Sequence, residues 1–221
     1  MSADAVMLPD LVTDLLADLR GVAKRWDASS GLAPVDLTIR RGEIVALQGR
    51  SGSGKSTLLA LLAGWCQPDG GEIVRGAALA IADSWRHWAG TAIVPQVLGL
   101  VDELSVGENV MLVLRLAGIG RAERRAMVAD LLGRLDLTDH ADRLPRETSL
   151  GQQQRVAVAR ATVLSPVLVL ADEPTCHQDA EHGAAVLAEL RRVAAAGGGV
   201  IVASHDDAVV AAADRVVTLD D

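Results

Sequence analysis

The sequence predicts an α/β fold with a mostly parallel sheet, an antiparallel β region near the N-terminus and an inserted group of helices. Three observations support this class. Short apolar runs alternate with segments of helical periodicity, an order typical of parallel strands connected by helices. The run at residues 43–48 leads through a glycine-rich stretch into an apolar helical segment at residues 55–65. Residues from about 100 to 164 are rich in helical segments and interrupt the alternation.

Each predicted element follows from apolar periodicity and from the turn residues that bound it. Strands are predicted at residues 15–22, 35–39, 43–48, 92–95, 167–171, 200–203 and 215–219. Helices are predicted at residues 55–65, 152–164 and 184–196, with two more inside 106–137 that separate at 118–120. The first ten or so residues are predicted to form a loose tail. Packing, not ligand contact, is the predicted role of Trp65, Trp85 and Trp88.

Composition indicates which partners the chain binds and in which cellular compartment it works. The 221-residue chain, 50% hydrophobic, is predicted to form a single domain over residues 1–221. Its net charge of −8 argues against nucleic acid as a partner, because phosphate backbones need a basic surface. Two cysteines are too few for a disulfide framework, which favours a reducing compartment. The sequence has no signal-peptide pattern and no apolar run of the roughly 18 to 20 residues that a membrane span needs, so the chain is expected to be soluble by itself.

A phosphate-binding loop is predicted at residues 49–56, which fit the pattern G-x-x-x-x-G-K-[ST] completely. The glycines let the backbone aim its N–H groups inward, and the helix that follows adds positive partial charge at its N-terminus. Lys55 is predicted to reach the β- and γ-phosphates, and Ser56 to ligate Mg²⁺. The alternative is a glycine-rich turn that fits by chance. The predicted nucleotide-binding residues of this segment are Gly49, Arg50, Ser51, Gly52, Ser53, Gly54, Lys55, Ser56 and Thr57.

A second acidic element follows the apolar run at residues 167–171. Asp172 ends this predicted strand, at the sheet edge where ligands bind in open α/β folds, and is expected to organise Mg²⁺. Glu173 comes next and is placed to act as a general base on an attacking water. The alternative is a solvent-facing Asp-Glu pair at a strand end.

Four further segments resemble those of ABC ATPases. Residues 148–155 (TSLGQQQR) are similar to the signature L-S-G-G-Q followed by Q-Q-R, and residues 173–179 (EPTCHQD) to the stretch E-P-T-S-x-L-D. Gln96 resembles the glutamine of the Q-loop, and residues 204–206 (SHD) resemble the switch-histidine segment. The resemblance covers residues from about 15 to 219, and the order and number of the motifs make it specific.

The resemblance implies that two copies of the chain hold ATP between them. The phosphate loop of one copy and the signature of the other would clamp the triphosphate. The signature residues implied to act in trans are Ser149, Leu150, Gly151 and Gln152. Leu150 and Thr148 depart from the family pattern, and the bulk of Leu150 is expected to slow closure. Asp179 is implied to lie at the dimer seam, and Trp26 to stack on adenine, with plain packing as the alternative for Trp26.

The resemblance also implies roles around the reacting phosphate. Glu173 would act as general base, and His205 would hold both the γ-phosphate and Glu173. Gln96 would sense Mg²⁺ and the attacking water, and would share the Mg²⁺ site with Ser56 and Asp172.

The function implied is that of an ATP-hydrolysing ABC transporter subunit that powers a separately encoded membrane permease. The expected partners are a second copy of the chain and that permease, with the chain cytoplasmic and peripheral at the inner face of the membrane. The helical subdomain at about 100–164, which carries the signature, would receive the permease. Residues 105–110 and the GQQQR run look like the lipoprotein-release and macrolide-export group.

Two other functions compete with a transporter subunit. The first is a soluble ABC ATPase acting on DNA or ribosomes, which the acidic charge and the lack of sustained heptads disfavour. The second is a P-loop GTPase or small-molecule kinase. GTPases read guanine with an N-K-x-D segment, and the single asparagine here, Asn109, is followed by valine.

Overall fold

The computed structural model describes residues 14–27, 30–80 and 90–219. Its strands are β1 Leu15–Arg25, β2 Gly31–Arg40, β3 Ile44–Gln48, β4 Gly70–Arg75, β5 Thr91–Val94, β6 Leu168–Asp172, β7 Gly199–Ala203 and β8 Arg215–Thr218. Its α-helices are α1 Lys55–Leu62, α2 Ala77–Ala80, α3 Val106–Leu116, α4 Arg121–Arg134, α5 Leu150–Thr162, α6 Ala180–Ala195 and α7 Asp207–Ala212. The predicted N-terminal tail, Trp85 and Trp88 lie outside the described residues.

A five-stranded parallel sheet in the order β5-β6-β7-β3-β8 forms the centre of the fold. Its inner strands are near-continuous apolar runs, as expected of strands covered on both faces. Leu47, Ala203 and Asp172 are register partners across β3, β7 and β6. The carboxyl ends of β3 and β6 therefore emerge at the same edge, separated by one strand. The predicted α/β class is confirmed.

Alternate residues of the inner strands serve two hydrophobic cores on opposite faces of the sheet. On β7, Val200 and Val202 belong to the core beneath α3 to α6, whereas Ile201 and Ala203 belong to the core beneath α1 and the second sheet. All four are fully buried. Burying one such valine or isoleucine side chain contributes about 1.5–3 kcal/mol, so the two cores together fix the sheet between its covering layers.

A three-stranded antiparallel sheet, β2-β1-β4, confirms the predicted antiparallel region near the N-terminus. Strand β4 was not predicted from the sequence. It contains Gly70, Gly71 and Glu72 and is largely exposed, so it lacks an apolar alternation; pairing with β1 makes it a strand.

The helices agree with the predicted ones in number and place along residues 106–195, and differ at their ends. The predicted break at 118–120 separates α3 from α4, with Gly118 in the left-handed region (φ 77°). Helix α1 is shorter than predicted, because the chain turns at Gly64 (φ 73°). The packing role predicted for Trp65 is wrong: it follows this turn and is 66% exposed. Within the described residues, every helix is too short or too polar to cross a membrane.

Candidate nucleotide-binding site

The glycine-rich loop joins the end of β3 to the start of α1 and has little room for side chains. Gly49 (φ 150°) and Gly54 (φ 93°) both have positive φ. A Cβ at Gly49 would lie 2.6 Å from the Leu219 carbonyl oxygen, and one at Gly54 would lie 2.6 Å from that of Gly31. Gly54 caps α1 without a side-chain acceptor, so the first N–H groups of the helix are left for an anion.

Lys55 projects back across this loop. Its Nζ donates hydrogen bonds to the carbonyl oxygens of Gly49 at 2.7 Å and Arg50 at 2.9 Å. These bonds hold the ammonium group at the loop, beside the N–H groups of the helix start. The loop therefore presents the charge of the Lys55 ammonium together with several aligned dipoles, an arrangement suited to a polyphosphate.

Ser56 and Asp172 meet at the carboxyl edge of the sheet. The Ser56 hydroxyl donates to Asp172 Oδ2 at 2.7 Å, although the two residues come from α1 and β6. Gln96, just after β5, lines one cavity together with Ser56 and Asp172. Hydroxyl, carboxylate and amide oxygens are ligands that Mg²⁺ prefers, so this donor set fits the magnesium site that the sequence predicts.

A cavity of about 520 Å³ brings most of the predicted site residues together. Its lining includes Trp26, Ser30, Gly31, Gly49, Ser51, Gly52, Gly54, Lys55, Ser56, Thr57, Gln96, Asp172, Glu173 and His205. Arg50 contributes its carbonyl oxygen to Lys55, as described above. Ser53 is 5% exposed and packs beneath the loop, so its side chain does not line this cavity.

Glu173 is held by two neighbours from the end of β7. Its Oε2 accepts a hydrogen bond from the Ser204 hydroxyl at 2.8 Å, and its Oε1 lies 2.8 Å from His205 Nδ1. The bond to Glu173 raises the pKa of His205 above its ordinary value. Glu173 itself has φ 51°, a conformation that costs a non-glycine residue about 1–3 kcal/mol. A strained, doubly anchored carboxylate at the cavity wall is a candidate general base.

Trp26 stands at the rim of the cavity with 54% of its surface exposed. Its indole Nε1 donates to Thr57 Oγ1 at 3.0 Å, and the Lys24 ammonium lies 5.2 Å from the ring centroid. Lys24 is paired with Asp69 at 2.8 Å. The ring is thus held in place from two sides while much of it stays open to a ligand.

The predicted signature residues form the start of α5, away from the cavity of their own chain. Ser149 is the N-cap, and its hydroxyl and amide exchange hydrogen bonds with Gln152 in a capping box. Leu150 is 58% exposed. Gly151 is buried against residue 177, where a Cβ would lie 2.6 Å from the His177 carbonyl oxygen. None of these four lines the cavity near Lys55.

Asp179 caps α6 and is tied to a second loop through His182. Its Oδ1 accepts from His182 N at 2.9 Å and lies 2.7 Å from His182 Nδ1. His182 Nε2 lies 3.1 Å from Asp136 Oδ2, in the turn after α4. The bonds to Asp179 and Asp136 raise the pKa of His182. His182 is therefore a link between the two loops that strengthens when it is protonated.

Replacing His182 with asparagine is expected to destabilise the fold in a pH-dependent way. A raised folded-state pKa gives a stabilisation that is complete below the ordinary histidine pKa of about 6.5 and is lost as pH rises through the raised value. The free energy of unfolding in urea should therefore differ between wild type and H182N mainly at mildly acidic pH. His177→Asn, at an exposed position nearby, is the control. An equal loss at every pH would show that the ion pairs are not responsible.

Sequence reasoning missed several contacts that hold the candidate site residues in place. Ser204 holds Glu173, Thr57 holds Trp26, and Gln178 bonds to Gly151. Thr57 was predicted only to bind nucleotide, and Ser204 was named only within the segment at residues 204–206, so neither contact was predicted. Gln178 lies 27 positions from Gly151, so nothing local in the sequence pairs them.

The loop after β3, the Ser56–Asp172 pair and the anchored Glu173 define a P-loop nucleoside-triphosphate-binding protein. Comparison with known families agrees, since the family described as ABC transporter matches residues 32–176. The chain therefore belongs to the ABC transporter family, and within it the chain is an ABC ATPase cassette.

The chain is similar to several known ATP-binding proteins of the ABC transporter family. It is 41% identical over 167 residues to the ABC transporter ATP-binding protein YtrE of Bacillus subtilis, covering 73% of this chain and 72% of that protein. It is 38% identical over 221 residues to the macrolide export ATP-binding/permease protein MacB 2 of Aeromonas hydrophila, covering 95% of this chain and 34% of that protein. The likeness to the macrolide-export group is thus confirmed, and the chain spans about a third of that relative's length.

Solved structures agree as well. A dimer of the ATP-binding cassette MJ0796 in a post-hydrolysis state, bound to ADP and phosphate, has a TM-score of 0.82 and 30% identity to this chain. The match covers 93% of this chain and 94% of that one. Another dimeric structure of MJ0796, described as a bacterial ABC transporter cassette, has a TM-score of 0.81.

Proposed function

We propose that this chain binds ATP with Mg²⁺ in the cavity near Lys55, hydrolyses the ATP, and drives transport through a membrane permease supplied by a separate chain. The observation that supports this most directly is the convergence of Lys55, Ser56, Asp172, Glu173 and His205 on one cavity. A cation, an oxygen donor pair and an anchored carboxylate are the parts that phosphoryl transfer to water requires.

Each residue has a role that follows from its contacts. The loop N–H groups and Lys55 would bind the phosphates, and Ser56, Asp172 and Gln96 would hold Mg²⁺, which neutralises developing charge when bound. Glu173 would take a proton from the attacking water through the carboxylate that Ser204 and His205 orient. Trp26 would support the adenine ring through its exposed face.

The signature would act on the nucleotide of a second copy. Ser149, Leu150, Gly151 and Gln152 lie outside their own cavity, and the MJ0796 cassette, which this chain resembles, is a dimer. A homodimer with Asp179 at its seam would bring the start of α5 to the partner's γ-phosphate. The chain would then work in the cytoplasm at the inner face of the membrane, held there by the permease. The net charge of −8 gives no support for a nucleic-acid partner.

Phosphate release by the purified chain tests this proposal. With ATP and Mg²⁺ in excess, turnover per chain should rise with protein concentration and reach a plateau, because the active unit contains two copies. EDTA should stop it, because Mg²⁺ neutralises the charge that develops on the phosphates. Turnover that is independent of protein concentration down to nanomolar levels would contradict the sandwich. Affinity purification from detergent-solubilised membranes would identify the permease.

Replacing Leu150 with glycine is expected to preserve or raise turnover. Leu150 is exposed at the first position of α5, so its removal leaves no cavity in a core. Glycine would restore the family pattern and reduce the bulk facing a partner. Turnover at saturating ATP is the measurement, and Leu116→Gly, at an exposed site on α3, controls for the helix cost of glycine. A large loss of turnover would give Leu150 a positive role.

A further inference from the structure

The side-chain amide of Gln178 joins the two segments that ATP hydrolysis would use. Its Nε2 donates to the Gly151 carbonyl oxygen at 2.8 Å, and its Oε1 accepts from Arg155 Nη1 at 2.9 Å. A carbonyl needs a donor and a guanidinium needs an acceptor, so the two partners fix the orientation of the amide. Gly151 is the second residue of α5, where the signature begins.

The segment that leads to Gln178 starts at the candidate general base. Residues 173–178 leave the end of β6 with two non-glycine residues in the left-handed region, Glu173 (φ 51°) and His177 (φ 63°). Helix α5 contacts this strained segment at both ends. Gln154 Nε2 lies 3.4 Å from the Glu173 carbonyl oxygen, and Gly151 approaches the His177 carbonyl so closely that a Cβ would clash at 2.6 Å. The start of α5 and the segment after Glu173 are thus packed as one unit.

Arg155 depends on the same amide. It is 4% exposed, and its Nε has no hydrogen-bond partner among the described residues. Burial lowers the pKa of Arg155, against the opposing charges of Asp136 and Asp179. The acceptor that Gln178 provides therefore compensates a buried cation one helical turn beyond Gly151.

We propose that Gln178 is a positioning residue that couples the catalytic segment of one subunit to the signature helix of the same subunit, and so to the nucleotide held by its partner. This inference rests on the proposed function. In the family pattern E-P-T-S-x-L-D, leucine stands at this position. Leucine has neither a donor nor an acceptor, so the coupling through a side-chain amide is a feature of this chain.

Two substitutions of Gln178 distinguish a role in positioning α5 from a role in stabilising the fold. Gln178→Glu keeps an acceptor for Arg155 but faces the Gly151 carbonyl with a carboxylate oxygen in place of an N–H. Gln178→Leu removes both bonds and leaves Arg155 buried without its acceptor. Gln67→Glu, an exposed glutamine in the loop after α1, is the control with the same change of charge. All three are made in the Glu173→Gln background, in which ATP is expected to bind without being hydrolysed.

The readouts are ATP affinity at protein concentrations where the chain is monomeric, ATP-driven dimerisation by light scattering, and thermal unfolding. Q178E should unfold close to the parent temperature, because the stronger carboxylate–guanidinium bond to Arg155 offsets the repulsion at the Gly151 carbonyl. It should bind ATP as the parent does, yet need at least about tenfold more protein to dimerise, because the displaced start of α5 meets the partner's nucleotide less well. Q178L should show the same dimerisation loss and unfold at lower temperature. Q67E should match the parent in all three.

The outcomes also distinguish this inference from the proposed function. If the Glu173→Gln parent does not dimerise with ATP, the proposed function fails. If the parent dimerises and Q178E dimerises equally well, Gln178 has no positioning role. If Q178L lowers the unfolding temperature while dimerisation is unchanged in both variants, Gln178 only provides a hydrogen-bond acceptor for the buried Arg155, and the inference is overturned.

Discussion

Replacing Lys55 with alanine is expected to abolish productive use of ATP. The change removes the Lys55 ammonium from the phosphate loop, and the carbonyl oxygens of Gly49 and Arg50 lose their hydrogen-bond donor. Electrostatic stabilisation of a transferring phosphoryl group contributes heavily to the rate of such reactions, so kcat/KM should fall by at least about a hundredfold. Steady-state phosphate release with Mg²⁺ and ATP is the measurement.

The matched control for Lys55→Ala is Arg125→Ala, which removes a cation from an exposed face of α4. It should hydrolyse ATP as wild type does. Arg125→Ala should retain the wild-type unfolding temperature, whereas K55A loses two hydrogen bonds within the loop and should unfold at a slightly lower temperature. Hydrolysis by K55A at the wild-type rate would remove the loop from the proposed site.

Replacing Glu173 with glutamine is expected to separate ATP binding from hydrolysis. The amide is close in size to the carboxylate and keeps an oxygen for the Ser204 hydroxyl, so the cavity should keep its shape. It cannot accept the proton of an attacking water, and kcat should fall by about 10²–10⁴-fold. ATP that binds without being cleaved should hold two copies together, and the dimer should accumulate.

Size-exclusion chromatography with light scattering measures this accumulation with and without ATP. Glu123→Gln, at an exposed position on α4, makes the same chemical change away from the site and should leave turnover intact. A variant that binds ATP with wild-type affinity but remains monomeric at high protein concentration would contradict the dimeric sandwich.

The sequence predicted those parts of the site that lie close together along the chain. The phosphate loop occupies eight successive residues, and Asp172 with Glu173 follows directly on an apolar strand. The carboxyl ends of parallel strands lie at the same edge of a sheet, so the phosphate loop and Asp172 were expected to lie close together. The hydrogen bond between Ser56 and Asp172 is the contact that this expectation implies. The predicted catalytic roles of these residues remain predictions until they are tested.

Other features depend on contacts between distant segments and had no local signal. Strand β4 is a strand because β1 pairs with it, and its own residues are mostly polar or glycine. Helix α7 has six residues, too few for a periodic pattern to stand out. Trp65 is exposed because a turn follows α1, which the apolar run through residue 65 did not reveal.

The alternation of the inner strands between two cores has a consequence for the proposed magnesium site. A slip of one residue in β3 or β6 would turn every core side chain toward the wrong layer, so neither strand can shift lengthwise against β7 without unpacking both cores. The relative height at which Gly49 and Asp172 leave the sheet is therefore fixed by buried aliphatic side chains far from any phosphate. The buried interior of the protein thus sets the spacing of the proposed magnesium ligands.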